Sequence, residues 1–432
     1  MESLIRSLAI QLTEGEVNIK ERSRKRILFI SPVTPKSGGI GIEVRAWSHL
    51  EALATVADVD LALAMTPDQV ARASVEEIQP LCSSVTFIKL RPSGKMAKRR
   101  VTGLTALNRA VNVHSSSFQL DTKDMTSLCE RLRNMHIDIV FCFRIASYDV
   151  FEHFPKTSIW QHSRLFVDFD DIESLSIRRE LPFAKRILGF ESALIVRIAG
   201  IEASILESRI QRKADMISVC SEVDRQRLVS RGGRATVVIV PNSFTRMPAL
   251  PLRPIGTVAK LLFLGTMSYS PNEDAILYFC REIYPHIRKR YRRDIRLTIV
   301  GRRPSAKVLA LAEDASIVVT GGVDSVEPYY DEADLVVAPI RFGGGTRVKI
   351  LEALSFGRAV VSTTLGAEGL ELMRGRDLEL ADEPEDFAGI CVALLENQGM
   401  RFDLARSGRE RVGAVYERKQ IQHALAKRIL DL

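Results

Sequence analysis

The segment from Pro339 to Thr363, PIRFGGGTRVKILEALSFGRAVVST, sets two cations directly behind three glycines. A strand is predicted to end at Pro339 and a helix to start near Thr346, so Arg347 and Lys349 fall in its first turn. Cations are disfavoured there by roughly 0.3–1 kcal/mol each, because the N-terminal end of the helix dipole is already positive. An anion held between the helix terminus and those side chains reverses the sign, and Gly344, Gly345 and Thr346 allow it to come close. A diphosphate is the natural candidate. Glu352 follows about two helical turns after the glycines, on the rim of an apolar run, where its carboxylate can accept hydrogen bonds from ribose hydroxyls. The competing reading is a plain glycine turn with two solvated cations and a solvated carboxylate at the helix edge.

Three further strand ends point to the same edge. Gly265 and Thr266 open the loop GTMSYSPNEDA, Gly301 and Arg302 open GRRP, and Val323 with Asp324 lie in GGVDSVEP, where main chain can read a base. Four strand ends converging on one sheet edge suggest a nucleotide site. In the first half, RILFISP leads into VTPKSGGIGIEVRAW, which offers Ser37, Gly39, Gly41 and Arg45 as cleft residues. This is not a dinucleotide fingerprint. The third glycine position is Val44, and seven residues with two prolines separate the strand from Gly39. VDFDDIES contributes Asp170 and Asp171 as catalytic candidates, the rival role being to cap the next helix. It also contains the spacing Asp168-x-Asp170 of a metal-held diphosphate, but cations at the helix start make a metal redundant, and none is expected.

Thirteen short β-branched runs alternate with helix-length amphipathic segments, which predicts α/β architecture with parallel sheets covered on both faces. The proline-bearing stretch after PNSF (Pro241–Phe244) separates two such series. The expected organisation is an N-terminal extension over 1–25, a Rossmann-like domain over 26–245, a second over 246–406, and a C-terminal helix over 407–432 that packs back on the first. The six cysteines form no C-x-x-C pair, so neither a zinc site nor a disulfide framework is indicated. The sequence offers neither a signal peptide nor an apolar run of the ~18–20 residues that spans a bilayer, so a cytoplasmic-type protein is expected. The net charge of +8 has a local origin. Residues 78–120 contain no Asp or Glu, and Lys89, Arg91, Lys95, Lys98, Arg99 and Arg100 lie there. Such a patch suits phosphates of an anionic membrane or a diphosphate-linked substrate, and the lack of interleaved aromatics argues against nucleic acid.

The phrases GTMSYSPNEDAILYF, TIVGRRP, VTGGVDSVEPYYDEADLVVAPIRFGGGTRVKILEALSFGRAVVSTTLGAEGL, VDFDDIES and VVIVPNSF resemble the nucleotide-sugar-dependent glycosyltransferases of family 4. The similarity is greatest to their bacterial exopolysaccharide-associated branch. It implies the GT-B fold, two Rossmann-like domains facing a central cleft, with the donor bound mainly by the second and the acceptor by the first. By that resemblance Arg347 and Lys349 hold the donor diphosphate, Glu352 the ribose and the Val323 region the base. Gly265, Thr266, Gly39 and Gly41 face the sugar and phosphates, and Asn242 lines the cleft. The implied activity is retaining transfer from a nucleoside-diphosphate sugar to a glycan or lipid-diphosphate acceptor, without a cofactor, in the cytoplasm or at the inner membrane face. Two departures stand out. Many members carry two glutamates separated by seven residues, and the first position is Gly344 here. The basic pair usual after the second domain's first strand is missing, a charge that Arg347 and Lys349 can take over, whereas the sequence offers no replacement for the glutamate. A nucleotide-sugar epimerase of the same architecture, or a non-catalytic glycan-binding subunit, are the alternatives.

Overall fold

The computed structural model describes residues 24–92, 118–155, 158–188, 190–245 and 250–432. The first sheet contains β1 (Lys25–Ser31), β2 (Ala57–Met65), β3 (Ser84–Pro92), β4 (Phe118–Leu120), β5 (Ile139–Phe143), β6 (Arg164–Phe169), β7 (Met216–Val219) and β8 (Thr236–Ile239). Their order is β4-β3-β2-β1-β5-β6-β7-β8, parallel throughout except for the short antiparallel edge strand β4. The second sheet contains β9 (Val258–Leu264), β10 (Asp294–Val300), β11 (Ile317–Gly321), β12 (Leu335–Ala338), β13 (Val360–Ser362) and β14 (Glu379–Leu380). Its order is β11-β10-β9-β12-β13-β14, and every pairing is parallel. Each of the thirteen expected strands is present, with ends shifted by at most three residues. Among the described residues only strand β4 was not foreseen.

Continuous apolar strands follow from burial on both faces. In β5 all five residues of IVFCF are buried, and Phe141 stacks on Phe166 at 4.6 Å with Phe29 set edge-on at 5.2 Å. Helix Gly41–Val56 covers one face of the first sheet, and helices Glu173–Leu188 and Phe190–Lys213 form a hairpin on the other. The strand order reverses at β1/β5 in the first sheet and at β9/β12 in the second. Ligands of doubly wound sheets bind in the crevices beyond such points, so the strand-end loops there are where a site should form.

The expected single helix over 407–432 is two. Gln398–Val415 packs on the second domain, and the chain then breaks at Tyr416–Glu417 to pair with Phe244, whose N–H reaches the Tyr416 carbonyl at 3.2 Å. Only helix Arg418–Asp431 crosses back. Its Ile421, Leu425 and Ile429 complete the apolar layer between helix Gly41–Val56 and the first sheet, and Lys25 Nζ caps the carbonyl of Ile429 at 2.9 Å. The N-terminal extension up to residue 23 and the cations from Lys95 to Arg100 lie outside the described residues. Of the rest of that patch, Arg91 is engaged with Asp121 at 3.2 Å.

Candidate active site between the two domains

The second domain brings its four strand-end loops together. The Gly265 N–H donates to Val300 O at 3.0 Å, Gly301 N–H to Gly321 O at 2.9 Å and Met267 N–H to Arg302 O at 2.9 Å. No side chain fits at Gly301, since a Cβ there would run into the Gly265 carbonyl. One at Gly265 would come within 2.9 Å of Lys349 Nζ and 2.7 Å of Asn272 Nδ2. Asn272 also donates to the Thr266 carbonyl at 3.0 Å. Arg302 lies beside Gly322, Val323 packs into the apolar layer around Ile350, and Asp324 is exposed on the loop. Gly265, Thr266, Gly301, Arg302 and Lys349 are therefore drawn together at one edge of the second sheet.

The cation-bearing helix differs from expectation in its start. It spans Val348–Ser355, with Arg347 in extended conformation at the N-cap, so only Lys349 occupies the first turn. Gly343 and Gly345 take positive φ values of 103° and 66°, carrying the chain through a loop that other residues resist, and helical conformation begins only beyond it. The Arg347 guanidinium folds back on the carbonyls of Gly344 and Phe342, and its buried Nε has no partner. Lys349 is not solvated. Its ammonium donates to Asn272 Oδ1 at 2.6 Å and lies 4.7 Å above the Phe263 ring. Burial, reinforced by Arg347 and opposed by Glu352, lowers its pKa to about 7. Glu352 is not a solvated edge carboxylate either. It accepts from Tyr330 Oη at 2.9 Å, and burial holds its pKa above the usual carboxylate range.

Across the cleft stands a buried charge cluster at the end of β5. Arg144 has φ 69° and ψ 158°, a backbone strain of the kind that persists at functional sites. Its guanidinium lies 2.8 Å from Asp170 and 3.2 Å from Glu173, whose two carboxylate oxygens are buried without hydrogen bonds. Asp171 accepts from Ser176 Oγ at 2.5 Å. Burial raises its pKa to about 6, with Ser176, Arg144 and Arg347 pulling the other way and Asp170 adding to the rise.

Two expected cleft residues are corrected by their burial. Arg45 is only 4% exposed and makes a bidentate pair with Asp168 at 2.6 and 2.9 Å. Burial opposes its charge, but Asp168 outweighs that and keeps the guanidinium protonated. Asn242 accepts from Arg45 at 3.2 Å and donates to Thr346 Oγ1 at 2.9 Å, stitching the first domain to the glycine loop of the second. Both are junction residues, not open acceptor contacts. Asp168 is consumed by the same network, with Ser218 at 2.5 Å and His49 at 3.2 Å, so Asp168 and Asp170 do not present a joint face to a ligand. Ser37 is exposed, and a Cβ at Gly41 would meet Val348 Cγ2 at 3.7 Å, an ordinary contact. Gly39 leaves room for Glu43, which caps Ile40 N–H at 2.9 Å.

The two domains meet directly over these residues. A Cβ at Gly344 would overlap the Asp171 carboxylate and the Ser176 hydroxyl, and one at Gly345 would lie 2.9 Å from Asp170 O. Around this point helix Glu173–Leu188 grips the second domain. Arg179 and Arg227 both bind Glu368, at 2.6 and 2.7 Å, and although burial opposes it, the arginines draw its pKa down to about 2. Glu180 accepts from Ser270 at 2.7 Å, and Phe183 stacks on Phe342 at 4.2 Å. Sequence reasoning missed Arg144, Glu173, Asn272 and Glu368. Of these only Arg144, a cation ending the apolar strand IVFCF, left a readable signal.

Residues 259–397 match the family model Glycosyl transferases group 1. An uncharacterized 44.6 kDa protein in the cps region of Klebsiella pneumoniae is 22% identical over 175 residues, 39% of this chain and 45% of that protein. The chain thus aligns with less than half the length of that curated relative. Similar folds occur in TarM of S. aureus (TM-score 0.64, 10% identity, 96% of this chain and 99% of that one). They occur also in sucrose-phosphate synthase from Thermosynechococcus elongatus (0.63, 16%, 94% and 99%). Anabaena Alr3699/HepE, solved with UDP and glucose, is a third (0.60, 14%, 94% and 100%). The chain has the GT-B fold, and residues 259–397 of its second domain are similar to the group 1 glycosyltransferases.

Proposed function

We propose that the protein is a retaining glycosyltransferase that moves a sugar from a nucleoside-diphosphate sugar to a glycan or lipid-diphosphate acceptor in polysaccharide biosynthesis. The observation that carries this reading is a pair of cations left short of anionic partners beside glycine loops. Lys349 has a neutral amide for its hydrogen-bond partner, and the Arg347 Nε has none. A bound diphosphate supplies the missing charge. The presence of UDP in the Anabaena structure supports a uridine nucleotide as the first donor to try. The cps-region relative supports a polysaccharide product.

In this mechanism the hard step is departure of the diphosphate from an oxocarbenium-like sugar. Arg347 and Lys349 stabilise the charge that develops on the leaving group. Glu352, held by Tyr330, receives the ribose hydroxyls, and Gly301, Arg302 and Val323 border the base. Asp171, with Asp170 and Arg144 behind it, faces the reacting sugar from the first domain and accepts a hydrogen bond from a sugar or acceptor hydroxyl. No divalent ion is required, since the protein's own cations neutralise the diphosphate. A thermal-shift panel of nucleoside diphosphates and their sugars, with and without EDTA, tests this. Stabilisation by one nucleotide series in both conditions is expected; no stabilisation by any, or stabilisation abolished by EDTA, overturns it. A donor converted in the absence of acceptor would identify an epimerase instead. The acid-free stretch through Lys89–Arg100 is proposed to rest on anionic lipid at the inner membrane face. Salt-sensitive cosedimentation with anionic vesicles tests that contact.

The pH profile should be a narrow bell. A profile of kcat/KM reports groups of the free enzyme. Asp171 must be ionised to accept the hydrogen bond, so activity rises through about pH 6. Lys349 must be charged to meet the diphosphate, so activity falls as pH rises above about 7. Asp171→Asn should remove the acid limb, and Lys349→Arg should move the alkaline limb upward. A flat profile from about pH 4 to pH 9 would refute both roles, a range set about two units outside the two limbs.

A further inference from the structure

Helix Phe190–Lys213 carries an apolar stripe on the face turned away from its own domain. Leu194, Ile198, Ile201 and Ile205 are 53%, 48%, 54% and 53% exposed, whereas Val196, Ala203, Leu206 and Ile210 on the opposite face are buried in the core. The outer residues are spaced four, three and four apart, which is the seam of a two-stranded coiled coil, with Leu194 and Ile201 at d and Ile198 and Ile205 at a. A helix edge that merely faces solvent has no reason to keep this period.

The charges beside the seam say what covers it. Arg197 falls at position g and Glu202 at e, both exposed, and neither forms an ion pair among the described residues. In a parallel two-stranded coil, g of one helix meets e of the next heptad on the other, five residues on. Arg197 would therefore meet Glu202 of a second copy, and twofold symmetry makes the contact twice. In an antiparallel pair g faces g and e faces e, and the two charges find no such partner. We infer that the protein self-associates through a parallel, in-register pairing of this helix with a second copy of the chain. The apolar seam spans about 17 Å of helix, far short of a standard interface, so the dimer is reversible and concentration-dependent.

Sedimentation velocity on the full chain between about 1 and 100 µM tests this, the range being set by so small an interface. A monomer–dimer shift across that range is expected. Ile198→Glu with Ile201→Glu should hold the protein monomeric while leaving its melting temperature unchanged, because both side chains are exposed. Arg197→Glu should weaken association by about threefold to tenfold, and adding Glu202→Arg should restore it. Ile201→Cys should form an intermolecular disulfide under mild oxidation more readily than wild type, since in-register pairing sets residue 201 against itself. A monomer at every concentration overturns the proposal, as does a dimer indifferent to the double glutamate variant or a charge reversal without rescue. Wild-type binding to uncharged lipid vesicles that Ile198→Glu with Ile201→Glu abolishes, without self-association, would assign the stripe to a bilayer and overturn it equally.

Discussion

Lys349→Met is expected to lower kcat/KM by ~10²–10³, the usual cost of losing one charged contact to a group that gains charge in the transition state. The same change should not destabilise the protein. A lysine enclosed against a phenylalanine ring and a neutral amide costs folding energy, and methionine fills a similar volume without a charge. The folded-state pKa of about 7 lies below the ordinary value of 10.5, so between those values the unfolded chain binds more protons and stability rises with pH. Wild-type melting temperature should therefore climb between about pH 7 and pH 9 more than that of the variant, which lacks the titrating group. At pH 7 the variant should melt at the same temperature or higher. An unchanged affinity for nucleoside diphosphates would remove Lys349 from the site, and a clearly lower melting point would make it structural.

What was legible in the sequence follows the physics of each feature. Strands buried on both faces write themselves as continuous apolar runs, as IVFCF does with all five residues buried. Strand β4 is three residues long at a sheet edge and leaves no such run. Cations behind Gly343–Gly345 were legible because helix dipoles and glycine loops are local effects. The helix start was misjudged by two residues because the loop turned by Gly343 and Gly345 runs on through an extended Arg347 before helical conformation begins at Val348. Arg45 and Asp168 were illegible in principle. They lie 123 positions apart, and only the parallel packing of β6 beside β5 and β1 under helix Gly41–Val56 turns two apparent cleft charges into one buried pair. The grip of Arg179 and Arg227 on Glu368 is likewise a property of two domains meeting, which no local pattern encodes.

The missing glutamate at Gly344 is answered by the same meeting. The sequence offered no replacement, yet the space that a side chain at 344 would enter is filled by the Asp171 carboxylate delivered from the first domain. Gly344, unlike Gly343 and Gly345, has no positive φ, so its backbone tolerates any residue and the obstacle is steric alone. Gly344→Glu should therefore drive the new side chain into Asp171 and Ser176, prise the glycine loop from the first domain and reduce kcat/KM by more than ~10², as misplacement of reacting groups by about 1 Å does. Asp171→Gly should also be severely impaired, because the cleft loses its carboxylate. Combining the two frees the space, lets the Ser176 hydroxyl turn away from its lost partner and returns a carboxylate to the same place from the opposite wall. The double variant should then be at least about tenfold more active than the worse single one, a coupling that independent sites do not show. Near wild-type turnover by Gly344→Glu alone would mean that the domains do not close as described. A double variant no better than its worse parent would mean that the carboxylate at this point is structural and that the reacting sugar meets some other group.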